Sequence, residues 1–414
     1  MPLSYSAAHR ESSTVRRKID LDNFQVASVR TARDINRRIV LNLIRKHQPV
    51  SRAELSRHSR LQRSTVSVIT QQLIAERWVK MGAFGNLPRG RKPKFLHLNG
   101  ERGGIIGVDL RPENTTLMLA DLEMRSLAQD SMRTGNNPDE FVAELARRIR
   151  RLMSTHSHLS FEGIGVALPG RIDPESNRLV FAPNLAWKSI DLKGPLEAAT
   201  GLEVELENAA NACALAEIWG GTHSESVRNL VAVTVSEGIG AGMVLNGQLI
   251  RGTTGLAGEL GHVMLQEDGP QCKCGNRGCW EACASNSAAV RYFTEFESGQ
   301  NGQKNADTPT FGTVLKLAQQ GHPQAGKALE RMARFLGVGV AMTIATLAPD
   351  VVVVIGEVTR AWDRVGSIID EVVASRLSMG SKTRIVPTNP ETEPRLRGTI
   401  ALVLQKHLGV PHLV

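Results

Sequence analysis

The chain has 414 residues, 41% hydrophobic and 22% charged, enough for two or three domains that each bury a core. No apolar run approaches the ~18 residues of a membrane span, and the N-terminus lacks the apolar stretch of a signal peptide; the expectation is a soluble cytoplasmic protein with no membrane partner. Charge is uneven: residues 1–100 hold 20 Lys/Arg against 6 Asp/Glu, a net of +14, while the whole chain is only +9. A basic first quarter on a mildly acidic body predicts a nucleic-acid module joined to an effector domain.

Residues 1–30 show no period and read as a mobile arm. From Thr31 a helical pattern begins, with Ile35, Ile39 and Leu43 spaced by four, and Pro49 ends it. Ser51-Arg-Ala-Glu54 is a capping box, in which the serine hydroxyl and the glutamate three residues on satisfy each other's backbone donors. The short helix that follows carries Ala53 and Leu55, and Ser59-Arg-Leu61 makes a turn. A third helix starts near Gln62, with Val66, Ile69 and Leu73 inward and Arg63, Ser64, Ser67, Thr70 and Gln71 on the opposite face.

Two helices across a short turn, the second rich in short polar groups, fit a helix-turn-helix whose second helix enters the major groove. Arg63, Ser64, Thr65 and Ser67 are the expected base-edge contacts. Trp78–Met81, a loop over 86–93, then Phe95–Leu98 read as strand, basic loop, strand: a wing. Arg89 and Arg91 would reach a narrow minor groove and Lys92 a phosphate. Residues 31–98 are therefore expected to form a winged helix-turn-helix domain. The alternative is a winged helix that binds protein; the basic wing argues for DNA.

Beyond Gly104 strands dominate: I-I-G-V-D-L, then L-M-L-A-D-L, a helix over Asp139–Met153 and a strand ending at Leu168. Leu230–Val235 and Ala241–Leu245 are strands around the turn 236–240. Helices follow over Thr313–Gln320 and Gln324–Ala348, then the strand Val351–Ile355 and a last helix over Arg395–Gly409.

The densest motif lies between Glu259 and Glu281, where E-L-G-H precedes C-K-C-G-N-R-G-C-W-E. Three of the five cysteines, Cys272, Cys274 and Cys279, fall within eight residues, ten to seventeen residues after His262. One imidazole and three thiolates make a usual structural zinc set, and Gly275 and Gly278 allow the tight turns it needs. A disulfide is the alternative, but a C-x-C pair closes a strained ring and a reducing cytosol opposes it. Cys213 and Cys283 fall outside the ligand spacing and read as core thiols.

This motif resembles the signature of the ROK family (repressors and sugar kinases), and the resemblance runs from about residue 35 to the C-terminus. It implies an α/β, actin-like, ribonuclease-H-type two-lobed domain over 104–414, behind the winged helix-turn-helix. Lobe 1 would span about 104–215 plus the C-terminal helix 395–414, and lobe 2 about 216–394 with the zinc loop 259–283. It also implies that Asn208, Glu259, His262 and Glu281 face a bound sugar, with His262 shared with zinc. The alternative for the two glutamates is support of the zinc loop without any ligand.

The kinase branch of that family needs features this chain has altered. Its D-x-G-G-T phosphate loop reads Asp109-Leu-Arg-Pro-Glu113, where Pro112 has no N–H to donate and Glu113 repels phosphate. A second loop, usually G-T-G-I-G, reads Ser236-Glu-Gly-Ile-Gly240. The N-D-A-N motif, whose Asp is the general base, reads Asn208-Ala-Ala-Asn211. The expectation is no enzyme activity but a transcriptional regulator, a repressor of carbohydrate genes binding an inverted-repeat operator as a homodimer or dimer of dimers. A regulator governed by a protein partner, a constitutive DNA-binding protein and a ROK sugar kinase are the alternatives.

Overall fold

The computed structural model describes residues 29–84, 94–173, 175–182, 185, 187–220, 223, 227–301, 309–377 and 380–409. Most of the N-terminal arm and the wing loop with Arg89, Arg91 and Lys92 lie outside these residues. The described chain forms two compact units, one from the residues up to 97 together with 408–409, the other over 98–407.

The first unit contains α1 (Val29–His47), β1 (Val50–Ser51), α2 (Arg52–Ser59), α3 (Arg63–Ala75), β2 (Val79–Phe84) and β3 (Lys94–Leu98), with a small sheet in the order β1-β3-β2. The capping box forms as expected: the Glu54 N–H donates to Ser51 Oγ at 3.3 Å and the Ser51 N–H to Glu54 Oε2 at 2.8 Å. Arg60, left-handed at φ 59°, stops α2. Its core is Leu55, Val66, Ile69 and Leu73, met by Val40, Leu41 and Ile44 of α1. That last set corrects the sequence reading: Ile35, Ile39 and Leu43 are only half-buried. Four apolar residues in five (Val40, Leu41, Leu43, Ile44) make a wide stripe, and packing on α2 and α3 chooses its centre. Thr70 is also buried rather than outward, with its hydroxyl accepting from Arg52 Nε at 2.8 Å.

The second unit repeats one architecture twice. β4 (Gly103–Leu110), β5 (Asn114–Asp121) and β6 (Ser126–Arg133) are antiparallel, and β7 (Ser160–Leu168) and β11 (Val204–Asn208) extend the other side of β4 in parallel, giving the order β11-β7-β4-β5-β6. β12 (Leu230–Val235), β13 (Ile239–Leu245), β14 (Gln248–Ile250), β15 (Val351–Ile355) and β16 (Arg384–Pro387) do the same as β14-β13-β12-β15-β16. A hairpin sheet of β8 (Arg171–Asp173), β9 (Arg178–Ala182) and β10 (Trp187–Ile190) sits on the first half. β4 and β15 are buried at every residue, as central strands covered on both faces must be. The expected two-lobed, ribonuclease-H-type α/β fold is thus present.

Two helices fill the space between the sheets. α12 (Pro394–Leu408) lies on the first sheet, where a Cβ at Gly165 would stand 2.2 Å from Thr399 O. α6 (Ala209–Gly220) lies on the second, where a Cβ at Gly242 would stand 2.2 Å from Ala210 O. The two helices touch at Gly398, whose Cβ would meet Ala212 O at 1.9 Å. Glycine at these three contacts lets the halves approach to backbone distance. Around this frame α4 (Pro138–Thr155) and α5 (Lys193–Thr200) cover the first half, and α7 (Trp280–Ala284), α8 (Asn286–Asn301), α9 (Phe311–Gln319), α10 (Pro323–Leu347) and α11 (Trp362–Arg376) the second.

Candidate metal centre and sugar site

The candidate metal site is built on β13. Residues Glu259–His262 form a single 3-10 turn that lies flat on that strand, because Gly258 and Gly261 leave no side chain in the way: a Cβ on either would be 2.1 Å from a β13 carbonyl. Gly258 is also left-handed at φ 96°. The turn presents His262. The cysteines come from a tight loop held by Gly278 N–H to Pro270 O at 2.8 Å and Cys272 N–H to Asn276 O at 2.8 Å. A side chain on Gly278 would strike Gln266 O at 1.5 Å, so the loop closes only with glycine there.

His262, Cys272, Cys274 and Cys279 each present a ligand atom, all within 4.8 Å of one another. Cys274 Sγ and Cys279 Sγ are 3.7 Å apart, as are Cys272 Sγ and His262 Nδ1. A tetrahedral ion with ~2.3 Å metal–sulfur bonds needs edges of ~3.8 Å, so the donor set fits a zinc-type ion. Burial pushes the Cys272 thiol up to about 12, and a dication is what turns such sulfurs into thiolates near neutral pH. Cys213 and Cys283 are fully buried, as expected of core thiols, and Cys213 packs in an apolar cluster with Leu230, Ala232 and Val353.

Three of the four sugar-facing candidates, Glu259, His262 and Glu281, lie together beside the cysteines. His262 Nδ1 faces the thiols while Nε2 is turned toward Glu259 Oε2, 3.6 Å away. Burial raises the pKa of Glu259, against the pull of His262 and with the repulsion of Glu281. Glu281, in the first turn of α7, accepts from Ile239 N–H through Oε2 at 3.1 Å, and its Oε1 lies 3.7 Å from Cys272 Sγ. Asn208 ends β11, where its Oδ1 accepts from Ala210 N–H at 2.8 Å and its Nδ2 donates to Gly170 O at 2.9 Å.

Three features here carried no signal in the sequence. Glu207, buried beside Asn208, accepts from Asn211 Nδ2 at 2.9 Å and from Arg251 Nη2 at 2.7 Å, an ion pair joining the two halves of the unit. Asp109, at the former phosphate loop, is buried between two arginines, Arg111 Nε at 2.8 Å from Oδ2 and Arg395 Nε at 2.8 Å from Oδ1. Arg395 comes from α12, far along the chain, so no local pattern could reveal it. Val68, on α3, is 55% exposed. Of the base-edge candidates, Arg63, Ser64 and Ser67 are exposed on the outer face of α3 and Thr65 is half-buried.

Known proteins resemble this chain over most of its length. The xylose repressor of Bacillus spizizenii is 29% identical over 391 residues, covering 93% of this chain and 99% of that protein. The transcriptional dual regulator NagC of Escherichia coli is 28% identical over 399 residues, 93% of this chain and 96% of its own. Among solved structures, a ROK family transcriptional regulator described as a homolog of the E. coli MLC protein superposes with a TM-score of 0.78 at 25% identity, covering 91% of this chain and 98% of that one. A ROK family glucokinase from Streptomyces griseus, solved with glucose and AMPPNP, gives a TM-score of 0.66 at 27% identity but covers only 73% of this chain. The ROK family profile matches residues 105–406, and the chain belongs to that family.

Proposed function

We propose that this protein is a sugar-responsive, DNA-binding transcriptional repressor, with one zinc per chain and no kinase activity. The observation that carries this reading is coverage. The regulators match more than nine-tenths of the chain, the glucokinase 73%, and a match over 93% of the chain necessarily takes in most of the first unit. That unit holds the α2–α3 pair and the excess of positive charge.

In this reading α3 enters the major groove with Arg63, Ser64, Thr65 and Ser67 at base edges, while Arg89, Arg91 and Lys92 serve as wing contacts to the minor groove and phosphates. A homodimer, or dimer of dimers, would match an inverted-repeat operator by its own two-fold axis. The chain is assigned to the cytoplasm, where operators lie; no described helix is long and apolar enough to cross a membrane.

His262, Cys272, Cys274 and Cys279 would hold zinc, which supplies local folding energy here rather than chemistry. A neutral sugar would bind against Asn208, Glu259, His262 and Glu281, where carboxylates offer paired acceptors to vicinal hydroxyls. Ligand that prefers one closure of the two halves shifts DNA affinity by that difference alone. Catalysis is opposed by Asp109: its charge is already compensated by Arg111 and Arg395, and Ala209 offers no base.

A second reading places a protein partner where the sugar acts. It is favoured by Leu256, just before the loop 259–283, and Val263 and Met264 within it, which are 52%, 39% and 59% exposed. Calorimetry of a sugar panel against the wild type and Glu259→Gln decides between them. Heat of binding for one sugar, lost in the variant, supports the sugar; a silent panel with metal-loaded protein supports the partner.

A further inference from the structure

Val68 stands on the outward face of α3. At 100° per residue Ser64, Val68 and Gln71 fall on one side of the helix, flanked by Ser67, while Val66, Ile69, Thr70 and Leu73 form the buried side. Ser64, Ser67 and Gln71 are all exposed, and Val68 is 55% exposed among them. A single surface valine is ordinary by itself. What marks this one is its setting: hydrogen-bonding side chains on every side, on a helix of a strongly basic segment. Those neighbours suit a polar, negatively charged surface, and on the major-groove edges of DNA one base alone presents an apolar group, thymine through its C5 methyl.

We propose that Val68 is a specificity-determining residue that packs on a thymine methyl group in each operator half-site, beside the base contacted by Ser64. This deepens the reading of α3 as the major-groove helix and rests on it. The branched side chain is short and stiff at χ1, so it reaches one base step and loses little rotamer freedom on contact. Serine hydroxyls donate and accept alike and so discriminate bases weakly; a methyl contact adds preference where they do not.

The test uses the full-length protein. Duplexes are selected from random DNA, and each thymine of the selected site is replaced singly by deoxyuridine, which differs only by lacking the methyl. The expected result is one thymine per half-site whose replacement weakens wild-type binding about fourfold, the worth of one buried methyl. Val68→Ala should bind the thymine and deoxyuridine duplexes equally at that position, and retain the wild-type profile at all others and the wild-type thermal unfolding.

Wild-type binding that is indifferent to every deoxyuridine, or an unchanged profile in Val68→Ala, overturns the assignment. So does a Val68→Ala variant whose only change is its oligomeric state, since Val68 would then face a second copy of the chain. Failure to select any duplex, or selection unaffected by Arg63→Ala and Ser64→Ala together, overturns the reading of α3 itself.

Discussion

The Glu281 carboxylate accepts the backbone N–H of Ile239 at 3.1 Å, tying the cysteine loop to the turn between β12 and β13. The contact is close on both sides, for a Cβ on Gly238 would stand 2.3 Å from Glu281 Oε2. The residue expected to meet a sugar is therefore also a brace between the metal loop and the former second phosphate loop. Glu281→Gln keeps an acceptor for Ile239 and should leave operator binding intact while weakening the sugar response. Glu281→Ala removes the acceptor and should cost about 1–3 kcal/mol. Hydrogen exchange at 236–240 separates the two: faster in the alanine variant, near wild type in the glutamine variant.

Metal removal should have a local effect first. Cys274→Ser breaks the four-ligand set, and with structural zinc worth roughly 10 kcal/mol to local folding the loop 259–283 should become protease-sensitive. Cys213→Ser, in the core, should leave the metal content unchanged. Elemental analysis of protein purified without chelator checks both, with about one zinc per chain expected for the wild type and the Cys213 variant and none for the Cys274 variant.

Restoring the missing general base should not restore a kinase. In Ala209→Asp the loop after β4 would still carry Pro112 and Glu113, with Asp109 still bound by Arg111 and Arg395. Neither wild type nor variant is expected to release ADP above background with any hexose. ATP-dependent phosphorylation abolished by Glu259→Gln would contradict this.

Thr70 separates folding from reading on α3. Its hydroxyl is buried against Arg52, so Thr70→Val should lower stability by about 1 kcal/mol while leaving base preference unaltered. Lys92→Ala should do the reverse, leaving stability alone and reducing the slope of log affinity against log salt by about one.

The chain makes plain which parts of such a protein are legible in advance. The cluster of His262 with three cysteines, the capping box at Ser51–Glu54 and the strand Val351–Ile355 are readable because their signals are local: ligand spacing, a three-residue reciprocal bond, an unbroken apolar run. The stripe of α1 was misplaced because apolar residues at 40, 41, 43 and 44 leave the face to be chosen by its neighbours. Thr70 was misplaced because an arginine eighteen residues away supplies its partner. Arg395–Asp109 and Arg251–Glu207 were invisible, since each joins residues that only the fold brings together.

The most direct test of the account is operator release. Fluorescence anisotropy of a selected operator duplex, titrated with zinc-loaded full-length protein, is measured with and without each sugar of the panel. One sugar should weaken wild-type affinity by about 5- to 150-fold, the usual range of a coupling free energy. Glu259→Gln should bind the operator normally and ignore that sugar. Operator affinity unmoved by every sugar, or lowered equally in Glu259→Gln, would contradict the account.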